Sequence, residues 1–147
     1  MIAALRPDAW DFPLFLHVLG SVLLFGGIAS LVVVSVAGLR IPDHAALLRR
    51  LAFWTTLVVV WPAYIVMRVG AQWILSREGL DNGGPPGWVA VGLVVADGGI
   101  VVILVLTLLG WLALRRARLG PWFAGLSVVY LVALGVAWFA MSAKPGA

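Results

Sequence analysis

The chain has 147 residues, of which 63% are hydrophobic and 11% are charged, and its mean hydropathy is +1.10. Soluble globular proteins average roughly 45–50% apolar and about 25% charged residues, so this composition excludes an ordinary soluble domain. The chain has no cysteine, which excludes disulfides, iron–sulfur clusters, thiolate zinc sites and covalently attached c-type haem. Its net charge of +4 comes from arginines clustered between apolar runs, a pattern that indicates membrane topology and no nucleic-acid partner.

Four apolar runs, at 12–39, 51–76, 88–114 and 122–142, are each long enough to cross a bilayer, which takes about 20 residues. Backbone polar groups cannot face hydrocarbon unpaired, and each run can close its own hydrogen bonds as a helix. The sequence therefore predicts an all-α polytopic membrane protein. We expect an up-down bundle of four transmembrane helices that forms one membrane domain over residues 1–147.

The distribution of basic residues predicts the orientation of this bundle. Two connections carry six arginines: Arg40, Arg49, Arg50, Arg115, Arg116 and Arg118. The opposite side carries three basic residues, diluted by acidic ones: Arg6, Arg77 and Lys144. Because arginine and lysine near helix ends are held on the cytoplasmic side, we expect both termini to face outward. The bias toward Ala, Gly, Val and Arg is typical of a GC-rich bacterial genome. The expected location of this multi-pass protein is the bacterial cytoplasmic membrane.

Three ionisable residues lie within the apolar runs, namely His17, Arg68 and Asp97. A helical rise of about 1.5 Å per residue places them roughly 8, 12 and 13 Å from the outer ends of their helices, in one layer. A charge within the bilayer is costly unless it is paired or solvated. Because Asp97 is the only carboxylate within a run, we expect an ion pair with Arg68 that either fixes helix register or has a function.

Two alternatives to this pair remain open. Arg68 lies about two turns from the end of its helix and could extend toward the outer headgroups. Asp97 is followed by Gly98 and Gly99 and could cap a half-helix after a break in the third helix.

The second helix carries a stripe of polar and aromatic side chains at spacings of three and four residues, namely Trp61, Tyr64, Arg68 and Gln72. This spacing places the four side chains on one helical face, which we expect to point into the bundle or into a wet cavity. Pro62 lacks the amide that would bond the carbonyl of Val58, so we expect a kink near the middle of the membrane.

The fourth helix carries a looser stripe, for which we expect interhelical packing with hydroxyls bonded to neighbouring carbonyls: Ser127, Tyr130, Leu134, Trp138 and Met141. In the first helix, Gly26 and Ser30 have a spacing that lets another backbone approach, and we expect them to pack within the chain.

His17 has the most versatile chemistry of these residues. It could ligate haem or a metal ion, carry a proton, or form a structural hydrogen bond. The other histidine, His44, is predicted in a cytoplasmic connection, so bis-histidine ligation of haem would need a dimer. Histidine–methionine ligation could use Met67 or Met141, with Arg68 beside a haem propionate.

The segment from Leu16 to Gly27, with the sequence LHVLGSVLLFGG, resembles the opening helix of a group of small bacterial membrane proteins. The group includes the copper-resistance protein D family, the HemJ-type protoporphyrinogen oxidases and several four-helix proteins without an assigned activity. In that group the histidine of the first helix is implicated in binding haem or copper. The resemblance therefore implies such a role for His17 alone.

These features lead to three hypotheses. The first is a non-enzymatic accessory or binding module in the lipid bilayer, in which the layer of His17, Arg68 and Asp97, with Tyr64, Gln72 and Trp61, holds the bundle together or accepts a small anionic ligand. A larger membrane complex or a homo-oligomer is its expected partner. The alternative is a b-type haem or quinone-linked redox protein with His17 as ligand. The third, a proton or ion pathway, is disfavoured because the inner halves of the helices carry no titratable side chain.

Overall fold

The computed structural model describes residues 11–78 and 87–143, and all the regular structure in these ranges is helical. Arg6 and Lys144, which were assigned above to the outer side, lie outside the described ranges. The five α-helices are α1 (Asp11–Arg40), α2 (Ala45–Thr55), α3 (Trp61–Glu78), α4 (Gly87–Arg115) and α5 (Gly120–Ala143). A π-helical segment joins α2 to α3, and short 3-10 turns precede α2 and α5: Thr56–Val60, Pro42–His44 and Ala117–Leu119.

Four helical segments are long and apolar enough to cross a membrane: Asp11–Arg40, Pro42–Arg77, Gly87–Arg115 and Ala117–Ala143. The prediction of an all-α protein with four such helices is confirmed for the described residues. The second predicted helix begins earlier in the chain than residue 51, where its apolar run starts. Ala45–Arg50 consists of good helix formers, and α2 therefore begins at Ala45. Arg49 and Arg50 therefore lie in α2, and the connection after α1 is a tight turn.

The irregular segment between α2 and α3 accommodates Pro62. The amide of Trp61 donates to the carbonyl of Thr56, five residues earlier, which is the spacing of a π turn. Proline has no amide hydrogen, and its ring crowds the carbonyl four residues earlier, that of Val58. The wider turn lets the helix continue past the proline. A π-helical segment thus stands where the sequence predicts a kink.

We call the half of the bundle farthest from the two short turns, Pro42–His44 and Ala117–Leu119, the outer half. In this half α1 packs against α3 at very short range. A methyl group built on Gly20 would lie 2.6 Å from the Cα of Met67, and one on Gly70 would lie 2.8 Å from the Cα of His17. Both are below the separation that a real Cβ tolerates, so only glycine fits at these two positions. The two backbones run antiparallel through this contact, with Gly20 opposite Met67 and His17 opposite Gly70.

The contacts of α2, α4 and α5 complete the bundle. α5 contacts both α1 and α4, and α2 contacts α1 and α4. The core draws buried apolar side chains from all five α-helices and the π-helical segment, and includes Leu24, Ile28, Leu31, Val60, Ile103, Leu106 and Phe123. This core occupies the middle of the bundle. The backbone of α4 approaches that of α2 closely. In the outer half, α4 is linked to α3 by long side chains of α3.

The contact of α1 with α3 predicts a sharp difference between glycines on the same helix. Gly20→Ala places a methyl group against backbone atoms that cannot rotate away, and we expect a loss of about 1–3 kcal/mol in the free energy of unfolding. Gly26 has nothing within 4 Å of the position that a Cβ would take, so Gly26→Ala should be neutral or slightly stabilising. Thermal unfolding in detergent, followed by circular dichroism, measures both. Equal stability of the two variants would contradict the close packing.

Candidate functional site

Two hydrogen bonds connect the predicted stripe on α3 to α4. The indole N–H of Trp61 donates to the hydroxyl of Thr107 at 3.0 Å, and the hydroxyl of Tyr64 donates to the carbonyl of Ala96 at 2.9 Å. Thr107 in turn donates to the carbonyl of Ile103, one turn back on α4. The stripe therefore faces α4, as its polar character requires, and its aromatic side chains span the gap between the two helices.

Arg68 and Asp97 form the ion pair that the sequence predicts. Nη2 of Arg68 donates to Oδ1 of Asp97, so the next turn of α3 is also joined to α4. The pair lies near the surface, with 29% of the Arg68 side chain and 60% of the Asp97 side chain exposed. α4 continues as an α-helix through Gly98 and Gly99, so Asp97 does not cap a broken half-helix. Gln72 is exposed one turn further along α3.

His17 is half-buried on α1 and faces α3. Its Nδ1 lies 3.2 Å from the carbonyl oxygen of Met67. Because a carbonyl only accepts hydrogen bonds, Nδ1 carries the hydrogen in this contact. In the neutral imidazole, Nε2 is then an acceptor with a free lone pair, which is the nitrogen available to a ligand. This side-chain bond to a backbone carbonyl fixes the orientation of the ring.

A cavity of about 370 Å³ lies beside His17 in the outer half of the bundle. Its walls come mainly from α1, α4 and α5, with Met67 contributed by α3: Leu14, His17, Val18, Ser21, Val22, Leu24, Phe25, Met67, Gly92, Val95, Ala96, Leu134, Ala137, Trp138, Met141 and Ser142. This volume falls within the roughly 300–1,000 Å³ of small-molecule sites. Four lining residues on α1 and α5 are exposed at the bundle surface, namely Val18, Val22, Trp138 and Ser142. The cavity therefore opens sideways between these helices.

The predicted polar layer separates into two parts. Within the described ranges, the cavity lining includes His17 but neither Arg68 nor Asp97. Ala96 is shared, because its side of α4 lines the cavity while its carbonyl binds Tyr64. The ion pair thus stands on the other side of α4 from the cavity and belongs to the link between α3 and α4.

The stripe on α5 also differs from the expectation of simple packing. Three of its members, Leu134, Trp138 and Met141, line the cavity. Ser127 donates to the carbonyl of Phe123 on its own helix. The hydroxyl of Tyr130 is buried over Gly99 and has no hydrogen-bond partner among the described residues. The predicted bond from this tyrosine to a neighbouring carbonyl is therefore wrong.

Small residues on α4 and α5 make the cavity, and sequence reasoning did not identify them. Gly92 and Ala96 lie four residues apart on α4, and Ala137 faces them from α5. A methyl group at Gly92 would collide with the end of the Met141 side chain. The spacing of Gly92 and Ala96 is typical of close helix packing, so this pattern alone does not distinguish a cavity from a tight contact. Gly26, by contrast, has open space beside it and is not used for packing within the chain.

A comparison of the chain with protein-family models, curated proteins and solved structures finds no match. Among residues 11–78 and 87–143, no group of three or more His, Asp or Glu side chains could hold a metal ion. The site in this part of the chain is thus an apolar cavity with one histidine in its wall.

The ion pair predicts a specific result for a double-variant cycle. Arg68→Leu leaves Asp97 without its counter-ion and should destabilise the protein, while the further change Asp97→Leu should recover much of that loss. We expect a coupling of about 0.5–2 kcal/mol, the range of interhelical polar contacts in membranes. Unfolding in detergent measures the cycle, with Arg77→Leu, an exposed arginine on the same helix, as control. Unchanged stability of the Arg68→Leu variant would refute a stabilising pair.

Proposed function

We propose that the protein is a non-enzymatic membrane binding module that holds a small apolar molecule in the cavity beside His17. The observation that carries this proposal is a cavity of about 370 Å³ with almost entirely apolar walls and one histidine. Such a site, with few polar groups that fix orientation, is the usual form of a small-molecule site. The Arg68–Asp97 pair has the role of a structural link, since its charges already neutralise each other.

The chemistry of His17 narrows the class of ligand. With Nδ1 bonded to Met67, the neutral ring offers Nε2 as an acceptor, so it suits a ligand with a hydroxyl or amine at one end. A quinol, a sterol-like alcohol or an isoprenoid alcohol has that character. A small anion does not, because the cationic side chain that could attract it, Arg68, lies outside the cavity lining of the described residues.

The membrane setting is part of this proposal. We infer that the four helices cross a bacterial cytoplasmic membrane with the arginine-rich turns inside and both termini outside, because arginine near helix ends is held on the cytoplasmic side. The cavity then lies in the outward half of the membrane. Its sideways opening between α1 and α5, at Val18, Val22 and Trp138, would give a ligand access from the lipid.

A b-type haem or quinone-linked redox protein is the second candidate function. His17, Met67 and Met141 all line the same cavity, and together they are the donor set of histidine–methionine haem ligation. The bond from Nδ1 to the Met67 carbonyl is also typical of histidines that bind iron through Nε2. The resemblance of the first helix to haem- and copper-binding membrane proteins points the same way. Arg68 does not support it, since Asp97 holds its guanidinium.

A cavity-filling variant tests the binding module directly. Ala137→Phe places a ring inside the cavity, whereas Val136→Phe places the same ring at a neighbouring exposed position on α5. We expect mass spectrometry of a solvent extract to find one apolar molecule co-purifying with the parent protein and with Val136→Phe. It should be depleted from Ala137→Phe. Equal recovery from both variants would place the bound molecule elsewhere or show that it is only bulk lipid.

Substitution of the two histidines separates the two candidate functions. His17→Ala should weaken retention of the co-purified molecule by roughly 2- to 13-fold, the effect of one hydrogen bond, while His44→Ala, an exposed residue at the other end of the bundle, should have no effect. An absorption spectrum of the purified protein, oxidised and then reduced with dithionite, decides about haem. A Soret band that His17→Ala removes would replace the binding module by the redox protein. A spectrum with tryptophan absorption alone supports the binding module.

A further inference from the structure

The outer surface formed by α3 and α4 carries charge at a depth where lipid cannot solvate it. The exposed side chains next to Asp97 on α4 are the apolar Val94 and Val101, which are 72% and 60% exposed. Asp97 is itself 60% exposed and uses one carboxylate oxygen in its bond to Arg68. An ion pair therefore stands in the middle of an otherwise apolar surface.

The length of α4 places this pair below the lipid headgroups. α4 has 29 residues, which gives a helix of roughly 43 Å, whereas the hydrocarbon core is about 30 Å thick. With the helix centred in the membrane, Asp97 lies about 8 Å inside the hydrocarbon. Arg68 lies ten residues from the end of α3 at Glu78, which is a matching depth. A polar group exposed to hydrocarbon at that depth is costly, so we expect a protein surface to cover it.

The charges on this surface match those of a second copy of the same surface. An ion pair turned by a two-fold axis along the membrane normal keeps its depth, and it presents its carboxylate to the guanidinium of the other copy. The four charges then alternate in sign around the axis, and each pair neutralises the other. A two-fold interface of this kind is the commonest form of homo-oligomer. A lipid headgroup would have to descend into the hydrocarbon to make the same contacts.

The backbone of α4 also permits a close approach at this point. Gly98 follows Asp97, is exposed, and has nothing within 4 Å of the position a Cβ would take. Small residues at a helix surface let a second helix approach closely, and polar groups beside them then bond across the interface. The exposed amide of Gln72 lies one turn from Arg68 on α3 and adds a polar group at the edge of this surface.

We propose that the protein forms a two-fold symmetric dimer in the membrane through α3 and α4, with the Arg68–Asp97 pairs of two copies facing each other across the axis. This dimer does not depend on the ligand of the cavity, because the cavity opens between α1 and α5 on another side of the bundle. In this interface the exposed ion pair of each copy gains the ion pair of the other copy as a second partner.

The absence of cysteine in the chain makes cross-linking a clean test. Single cysteines at Val94, Gly98 and Val101 lie on the proposed interface, while Gly26→Cys on α1 and Gly125→Cys on α5 occupy glycines with equally open surroundings on other faces. A disulfide forms only where two Cα atoms come within about 7 Å. The purified variants are reconstituted at high lipid-to-protein ratio, oxidised mildly and separated by mass.

We expect the disulfide dimer to form at the α4 positions and to stay at background at Gly26 and Gly125. Yields at the three α4 positions no higher than at these two controls would overturn the proposal. They would mean that a different protein or nothing covers the ion pair, because only copies of this chain are present in the reconstituted sample.

A second variant tests whether the charges hold the interface. Arg68→Leu with Asp97→Leu, placed in the α4 cysteine variant of highest yield, should reduce dimer formation by roughly 3- to 20-fold, the effect of one interhelical polar contact in a membrane. Its unfolding temperature is measured in parallel to show that the bundle is intact. Unchanged cross-linking in a folded double variant would overturn the pairing of charges across the axis.

Discussion

The close contact of α1 with α3 is the constraint on which the outer half of the bundle depends. Because glycine at positions 20 and 70 removes both side chains from the contact, the two backbones lie against each other and His17 reaches the carbonyl of Met67. That bond orients the ring, and α1, which packs closely against α3 and α5, makes no comparably close contact with α4. The cavity beside His17 is the space that results between α1, α4 and α5.

The gap between α3 and α4 follows from the same arrangement. α3 is drawn toward α1, and α4 packs against α5, so long side chains from Trp61, Tyr64 and Arg68 bridge the two helices. Polar side chains are suited to this task in a membrane, because an apolar pair gains little from burial when the surrounding lipid is equally apolar. The polar stripe on α3 thus has a structural reason. His17 also links two helices, α1 and α3, but it does so through Nδ1 alone, and its Nε2 remains an acceptor with a free lone pair, which is why we assign the ligand contact to this nitrogen.

The sequence predicted the number of helices long and apolar enough to span a membrane, and it predicted the Arg68–Asp97 pair, because each depends on local composition or on the few partners available to a charge in an apolar run. It did not predict that α2 begins at Ala45, since Arg49 and Arg50 interrupt the apolar run before residue 51. It also placed His17 and Arg68 in one layer, which is a statement about depth and carries no information on rotation around each helix. The cavity escaped prediction for a related reason. Gly92, Ala96 and Ala137 leave space only because of how α4 and α5 sit against α1, and that depends on contacts distant in sequence.

The most direct test of a ligand site beside His17 is an experimental density map of the protein in a lipid bilayer, prepared without added ligand. We expect elongated density between α1, α4 and α5 in the outer half, with its polar end next to Nε2 of His17, while Nδ1 remains bonded to the Met67 carbonyl. A map in which α4 and α5 close against α1, so that Ala137 and Met141 fill the space and His17 contacts only protein, would contradict the ligand site.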